Sequence, residues 1–247
     1  MKATDPVLEL AAARPFFDQS ALPNTRFDLR LMAGECALVV THDADRATAL
    51  SDLCSGMLDL RDGAVRFMGY NWSELGHEQT YALRGRIGRL PQRGAWIGML
   101  RTHINILLPL LHHTREPLDS LVDQAVELAR QVGLPGLPIG RPEAMPEADL
   151  MRAACVRAFL GEPRLLLLEH SISADSDELI TPLLNLLTRA LDRGAAAICF
   201  TRDSRLWRTQ AFPLAHHLHL LEDGLNPVRS VREKSRQRDA TERERTD

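Results

Sequence analysis

Eight consecutive residues, Thr41, His42, Asp43, Ala44, Asp45, Arg46, Ala47 and Thr48, separate an apolar run, CALVV, from a helical pattern that ends near Gly56. A turn with a strand behind it and a helix N-terminus ahead is where backbone N–H groups converge on phosphate oxygens. That chemistry uses glycines to let the backbone close on the anion, a lysine to neutralise it, and a Ser or Thr hydroxyl to reach Mg²⁺. The surround is present here and the contents differ. None of the eight is glycine, Ala47 stands at the lysine position, and only Thr48 matches. A non-glycine residue in the left-handed region costs about 1–2 kcal/mol, which a fold tolerates. Charge weighs more: a carboxylate about 4 Å from a phosphate charge repels it by about 4 kcal/mol at an effective dielectric of about 20. Asp43 and Asp45 supply two such carboxylates, and Arg46, the candidate substitute cation, stands one place early. The loop is expected not to hold phosphate.

Other reactive side chains are sparse. Cys36, Cys54, Cys155 and Cys199 lie in apolar or helical segments and form no CxxC pair, so they read as reduced core thiols of a cytosolic protein. His217 and His219 alternate along a strand pattern and share a face, but no Cys or carboxylate cluster accompanies them, and no metal site is expected.

The 247 residues suit one large domain or a domain with an inserted lobe, and a 45% hydrophobic content is enough for a substantial core. Net charge is −3, which argues against a nucleic-acid partner. No run of 18 apolar residues is long enough to span a membrane, and MKATDPVLEL lacks the apolar region of a secretory signal.

Strands are expected at Val7–Leu10, Phe27–Leu31, Cys36–Val40, Ala64–Met68, Ile87–Leu90, Arg164–Leu168, Ala196–Thr201 and Leu218–Leu221. Helical spacing appears over Arg46–Met57, Leu118–Val132, Ala148–Leu160 and Glu178–Leu191. RLLLL and AAICF are unbroken apolar runs, as in parallel strands covered on both faces. From Gln92 to Pro163 only helix and Pro/Gly-rich joints appear. The expected organisation is an α/β core over 1–91 and 164–224, a helical subdomain over 92–163 and a charged, solvated tail over 225–247. The tail carries seven Lys or Arg against five Asp or Glu.

The order of these segments (the early loop, LPQ opening a helical insertion, VRAFLGEPRLLLLEH, then ICFTRD) resembles the ATP-binding subunit of ABC transporters over roughly Val7 to Asp223. Within that family, QRGAWIGMLRTHINILLPLLHHT and VGLPG…RPEAMPEADLMRAACVRA are similar to the subunit of MCE-type phospholipid transporters such as the Mla system. The resemblance implies a P-loop NTPase-like α/β fold with an inserted helical subdomain. It also implies a cytoplasmic place on the inner face of the inner membrane, a membrane permease as direct partner, an MCE-domain protein as indirect partner, and pairing into a homodimer or heterodimer.

Judged by that family, the remaining stations are altered too. Glu169 and His170 stand where the family has an Asp that organises Mg²⁺ and a Glu that polarises the attacking water. Arg202 replaces the switch histidine, while the Q-loop glutamine is kept as Gln92. Met145, Pro146, Glu147, Ala148 and Asp149 occupy the signature motif, where Glu147 brings negative charge toward a partner's γ-phosphate and Pro146 lacks a hydroxyl. No catalytic residue and no ATP or Mg²⁺ cofactor is therefore expected. The reading is a non-catalytic subunit docked on a lipid-transporter permease. Its alternatives are an active ATPase using Arg46, Glu169 and His170, with ATP and Mg²⁺ as cofactors, and a soluble regulatory or scaffold protein. Ile104–Leu111, INILLPLL, is expected either to line a groove for the permease or to be a core helix; spacing alone leaves both open.

Overall fold

The strand at the centre, β3 (Cys36–Val40), is buried at every position and sends alternate side chains into two separate cores. The computed structural model describes residues 5–16, 21–169, 177–204, 207 and 212–228. Cys36 and Leu38 enter one core, Ala37 and Val39 the other. The same division runs through β7 (Leu165–Leu168) and β8 (Ala196–Thr201). Continuous apolar runs are therefore what a strand with helices or a second sheet on both faces requires.

Counting in chain order, β1 is Leu8–Pro15, β2 Phe27–Leu31, β4 Leu60–Phe67, β5 Tyr70–Asn71, β6 Ile87–Leu90, β9 His216–Leu221 and β10 Gly224–Pro227. The larger sheet has the order β10-β9-β3-β8-β7-β6, parallel from β9 to β6, with β10 antiparallel at its edge. The smaller, antiparallel sheet has the order β2-β1-β4-β5. Helix α1 (Ala44–Cys54) buries Ala47, Leu50, Leu53 and Cys54 in the core shared by the two sheets.

On the other face lies a helical layer. After α2 (His77–Arg84), the helices α3 (Thr102–His113), α4 (Leu118–Gln131) and α5 (Glu147–Phe159) all fall between β6 and β7, and α6 (Asp177–Asp192) packs on β8. Helix α5 lies tightly on β6: a Cβ on Gly88 would stand 1.9 Å from the Ala158 carbonyl oxygen. Among the described residues, no helix is long and apolar enough to cross a membrane.

One expectation changes, and of two alternatives left open one is met. Leu225–Pro227, placed in the tail by the sequence, continue the sheet as β10, because the Asp223–Gly224 turn returns the chain along β9. Of the INILLPLL run, Ile106, Leu107 and Leu110 are core residues packed with α4 and α5, so its main face is spent internally rather than lining a groove. The remainder of the tail, 229–247, lies outside the described residues.

Candidate functional site

Strand β3 delivers the chain to Thr41, whose N–H is held by the Thr201 carbonyl oxygen at the end of β8. Thr41 Oγ1 accepts the Asp43 N–H at 3.2 Å. Asp43 then turns into the helix as its N-cap, with φ −100° and ψ 113°. Its carboxylate accepts the N–H groups of Asp45 and Arg46 at 2.9 and 3.2 Å. Two of the free donors of the helix start, groups that would face an anion, are thus taken up by a side chain of the same turn. Residues from Ala44 to Thr48 are helical, so the helix begins two residues earlier than the apolar spacing suggests.

The loop's one cation is also engaged. Arg46 lies 3.3 Å from the Asp43 carboxylate and contacts Glu222, from the turn between β9 and β10. Two carboxylates thus hold one guanidinium, and Asp45 adds an exposed negative charge to the same turn. This is a poor environment for further negative charge.

Beneath the loop lies an arrangement that sequence reasoning missed. Arg89, on β6, donates from Nε to Glu169 at 2.5 Å, from Nη1 to Asp52 at 2.6 Å and from Nη2 to the Thr48 carbonyl at 3.3 Å. Thr48 Oγ1 donates to the second Glu169 oxygen at 2.7 Å. Thr48 and Asp52 are one helical turn apart on α1 and so share a face. Glu169 follows β7, and its side chain is only 1% exposed. Burial alone would lower the Arg89 pKa, but hydrogen bonds to and charges on Glu169 and Asp52 outweigh it and raise it. The guanidinium is a permanent cation. A lone arginine in the short strand IGRL was the available signal, since a charge on a strand that packs against a core needs a carboxylate partner.

The other stations are spread over the helical layer. Gln92 is half-buried just after β6. The segment that follows is pinned from both sides. Arg157 of α5 donates to the carbonyls of Gly94 and Ala95 and stacks on Trp96 with its Cζ 4.6 Å from the ring centre. Burial brings its pKa down to about 10. Asn105 of α3, itself buried, bonds the backbone of Ile97, Leu100 and Arg101. The pinned tip presents Ile97 and Met99 to solvent, Met99 at 82% exposure. Exposed Ile139 joins this region through its carbonyl, which accepts from Arg101.

Met145 accepts a contact from the Thr102 hydroxyl, and Pro146 starts α5 without a side-chain cap. Glu147 and Ala148 are exposed, while Asp149 pairs with Arg152, which also holds Glu178 of α6. Arg202 is exposed just past β8, and His42 is exposed in the loop. His170 lies outside the described residues. Among those described, no cluster of three metal-ligating side chains occurs. The structure thus brings together Thr48 and Glu169, adds Arg89 and Asp52, and leaves the 145–149 segment at the start of a separate helix.

A central parallel sheet with a loop-to-helix turn after its middle strand, a second antiparallel sheet and a helical layer define an ATP-binding-cassette fold. A solved dimeric cassette in a post-hydrolysis state with ADP and phosphate matches it at a TM-score of 0.74, with 17% identity, covering 90% of this chain and 99% of that one. No family model matches the chain. The lipoprotein-releasing system ATP-binding protein LolD of Ruegeria sp. (strain TM1040) is 30% identical over 205 residues, 80% of this chain and 86% of the relative. The chain belongs to the ATP-binding subunits of ABC transporters. The intermembrane phospholipid transport system ATP-binding protein MlaF of Haemophilus influenzae is 26% identical over 163 residues, 66% of this chain. The chain spans only 61% of that relative's length.

Proposed function

We propose that this chain is a non-catalytic ABC subunit that supports the permease of an MCE/Mla-type lipid transport system without binding ATP. One observation carries the reading: the carboxylate of Asp43 occupies the α1 N-terminus, where a phosphate would be held. Arg46, the only Lys or Arg within residues 41–48, is paired with Asp43 and Glu222. The family implies a magnesium-bound nucleotide, and the residues present do not fit one. Two of the donors that would meet phosphate are capped, the lysine is Ala47, and the carboxylate that would serve the metal is engaged by Arg89 and Thr48.

The lipid branch rests on the likeness to MlaF and on the segments after Gln92 and before α5. The permease would meet the pinned 97–99 tip and the helical subdomain of 92–163, and the protein would sit at the inner face of the inner membrane. An MCE-domain protein would join the complex indirectly, and a second ABC subunit, identical or different, would complete the pair.

A second reading, an active ATPase, draws on the direct contact of Thr48 with Glu169, two groups that serve a metal in the family. Calorimetry with millimolar Mg²⁺–ATP separates the two. The proposal expects no heat of binding; micromolar affinity that Thr48→Val weakens would establish the second reading. Purification of tagged protein from membranes tests the partner. A stoichiometric permease and MCE-domain protein are expected, and recovery of the chain alone in the soluble fraction would overturn the transporter assignment.

A further inference from the structure

We infer that Arg89 is a built-in replacement for the metal ion, a fixed cation that joins α1, β6 and the chain after β7 in the way a divalent ion would. The inference rests on the nucleotide-free reading and deepens it. It states what holds the site together when no ligand does.

The geometry has three parts. First, the guanidinium lies among oxygens from two elements: the Glu169 carboxylate, the Asp52 carboxylate and the Thr48 carbonyl. Such a donor set of carboxylate, carboxylate, carbonyl and a nearby hydroxyl suits a hard cation. Second, the planar fork reaches Glu169 through one edge and Asp52 through another, so one side chain satisfies both acids directionally. Third, Glu169 is nearly fully enclosed. A buried carboxylate needs a cation or protonation, and Arg89, with the Thr48 hydroxyl on the other oxygen, supplies what it needs.

The arrangement also explains the charge inventory. Asp52 and Glu169 together carry two negative charges, and Arg89 cancels one. Removing Arg89 would leave two carboxylates and the Thr48 oxygens facing one another, which is a vacant divalent-cation site. The wild-type protein should therefore be indifferent to divalent ions, and loss of the guanidinium should create a dependence on them.

The test uses the full chain without nucleotide, so its result is separate from that of ATP calorimetry. Thermal melts are run with and without Mg²⁺ at matched ionic strength, and Mn²⁺ binding is read by electron paramagnetic resonance. Wild type is expected to show no Mn²⁺ site and no Mg²⁺ shift. Arg89→Met is expected to melt lower and to bind one Mn²⁺. Mg²⁺ at about tenfold over its Kd should raise its midpoint by about 3–5 °C. The double variant Arg89→Met/Glu169→Gln should lose that response. Arg89→Lys, which keeps the charge, should fold and stay indifferent to metal. A wild-type Mn²⁺ site that Glu169→Gln abolishes would overturn the inference. So would an Arg89→Met protein that melts like wild type or ignores metal. If Arg89→Met does not fold, Arg89→Lys decides: a failure to fold there as well would show that packing, not charge, is what the position requires.

Discussion

Replacing Asp43 by alanine removes the carboxylate that receives the Asp45 and Arg46 N–H groups at the start of α1. Loss of an Asp N-cap costs about 1 kcal/mol, with an upper range of about 2. The charge–dipole part of that interaction is about 0.3–1 kcal/mol. The Asp43 side chain is 48% exposed, so its ion pair with Arg46 adds little once solvent screens it. The expected loss for Asp43→Ala is about 1–2 kcal/mol, or about 2–8 °C in melting midpoint for a chain of this size. Asparagine caps as well as aspartate, so Asp43→Asn should lose only the charge part and respond to salt less than wild type. Urea unfolding followed by circular dichroism, at low and at high NaCl, measures both. An alanine variant that unfolds at the wild-type midpoint would refute the argument, since the loop would then be held by something else. An asparagine variant as weak as alanine would also refute it, because charge rather than hydrogen bonding would be at work.

Two further predictions concern the core. Gly88→Ala should destabilise by at least about 3 kcal/mol, because its Cβ would meet the Ala158 carbonyl at 1.9 Å and Leu166 at 2.9 Å. Gly98→Ala, in open space, should stay within about 0.5 kcal/mol of wild type, and paired thermal melts check both. Burial pushes the Cys54 thiol up to about 12, against the opposing charge of Arg89, and pushes Cys155 to about 12 as well. Cys199 is raised by burial and by the thiol of Cys36, 3.7 Å away. These folded values exceed the ordinary 9.0, so the fold favours neutral thiols. Their contribution is full below pH 9 and is lost as pH rises through the folded values, so urea midpoints should fall between pH 9 and 12. Cys155→Ala should flatten that fall; an unchanged slope would count against the buried-thiol explanation.

The inner strands were legible because burial on both faces leaves only one kind of sequence. Cys36–Val40 and Ala196–Thr201 stand where their apolar runs stand, while the edge strands Phe27–Leu31 and Ile87–Leu90 bury only alternate residues and were read from that alternation. Elements that bury little were not legible. Helix α2 has no buried residue and hence no apolar period, and β5 is two residues long, too short for alternation to register. Strand β10 offers one apolar side chain, Leu225, and is held by backbone pairing to β9. At the site, the missing glycines and lysine could be read from residue type. The cap by Asp43 and the closure by Arg89 could not, because they depend on partners 2 to 80 residues away. Asp43 reads as a repelling charge in the sequence; in the fold it is also a ligand for the helix start.

The pinned segment after Gln92 has a mechanical consequence. Its backbone is bolted at 94–95 to α5 and at 97–101 to α3, so a push on the Met99 tip meets two anchored ends instead of a compliant loop. The load passes through Arg157 into α5. That helix lies on β6 with no slack, since the Ala158 carbonyl touches the bare backbone of Gly88. The neighbouring residue on that strand is Arg89. Displacement at the exposed tip thus has a stiff path, tip to helix to strand, that ends one residue from the guanidinium holding Glu169 and Asp52.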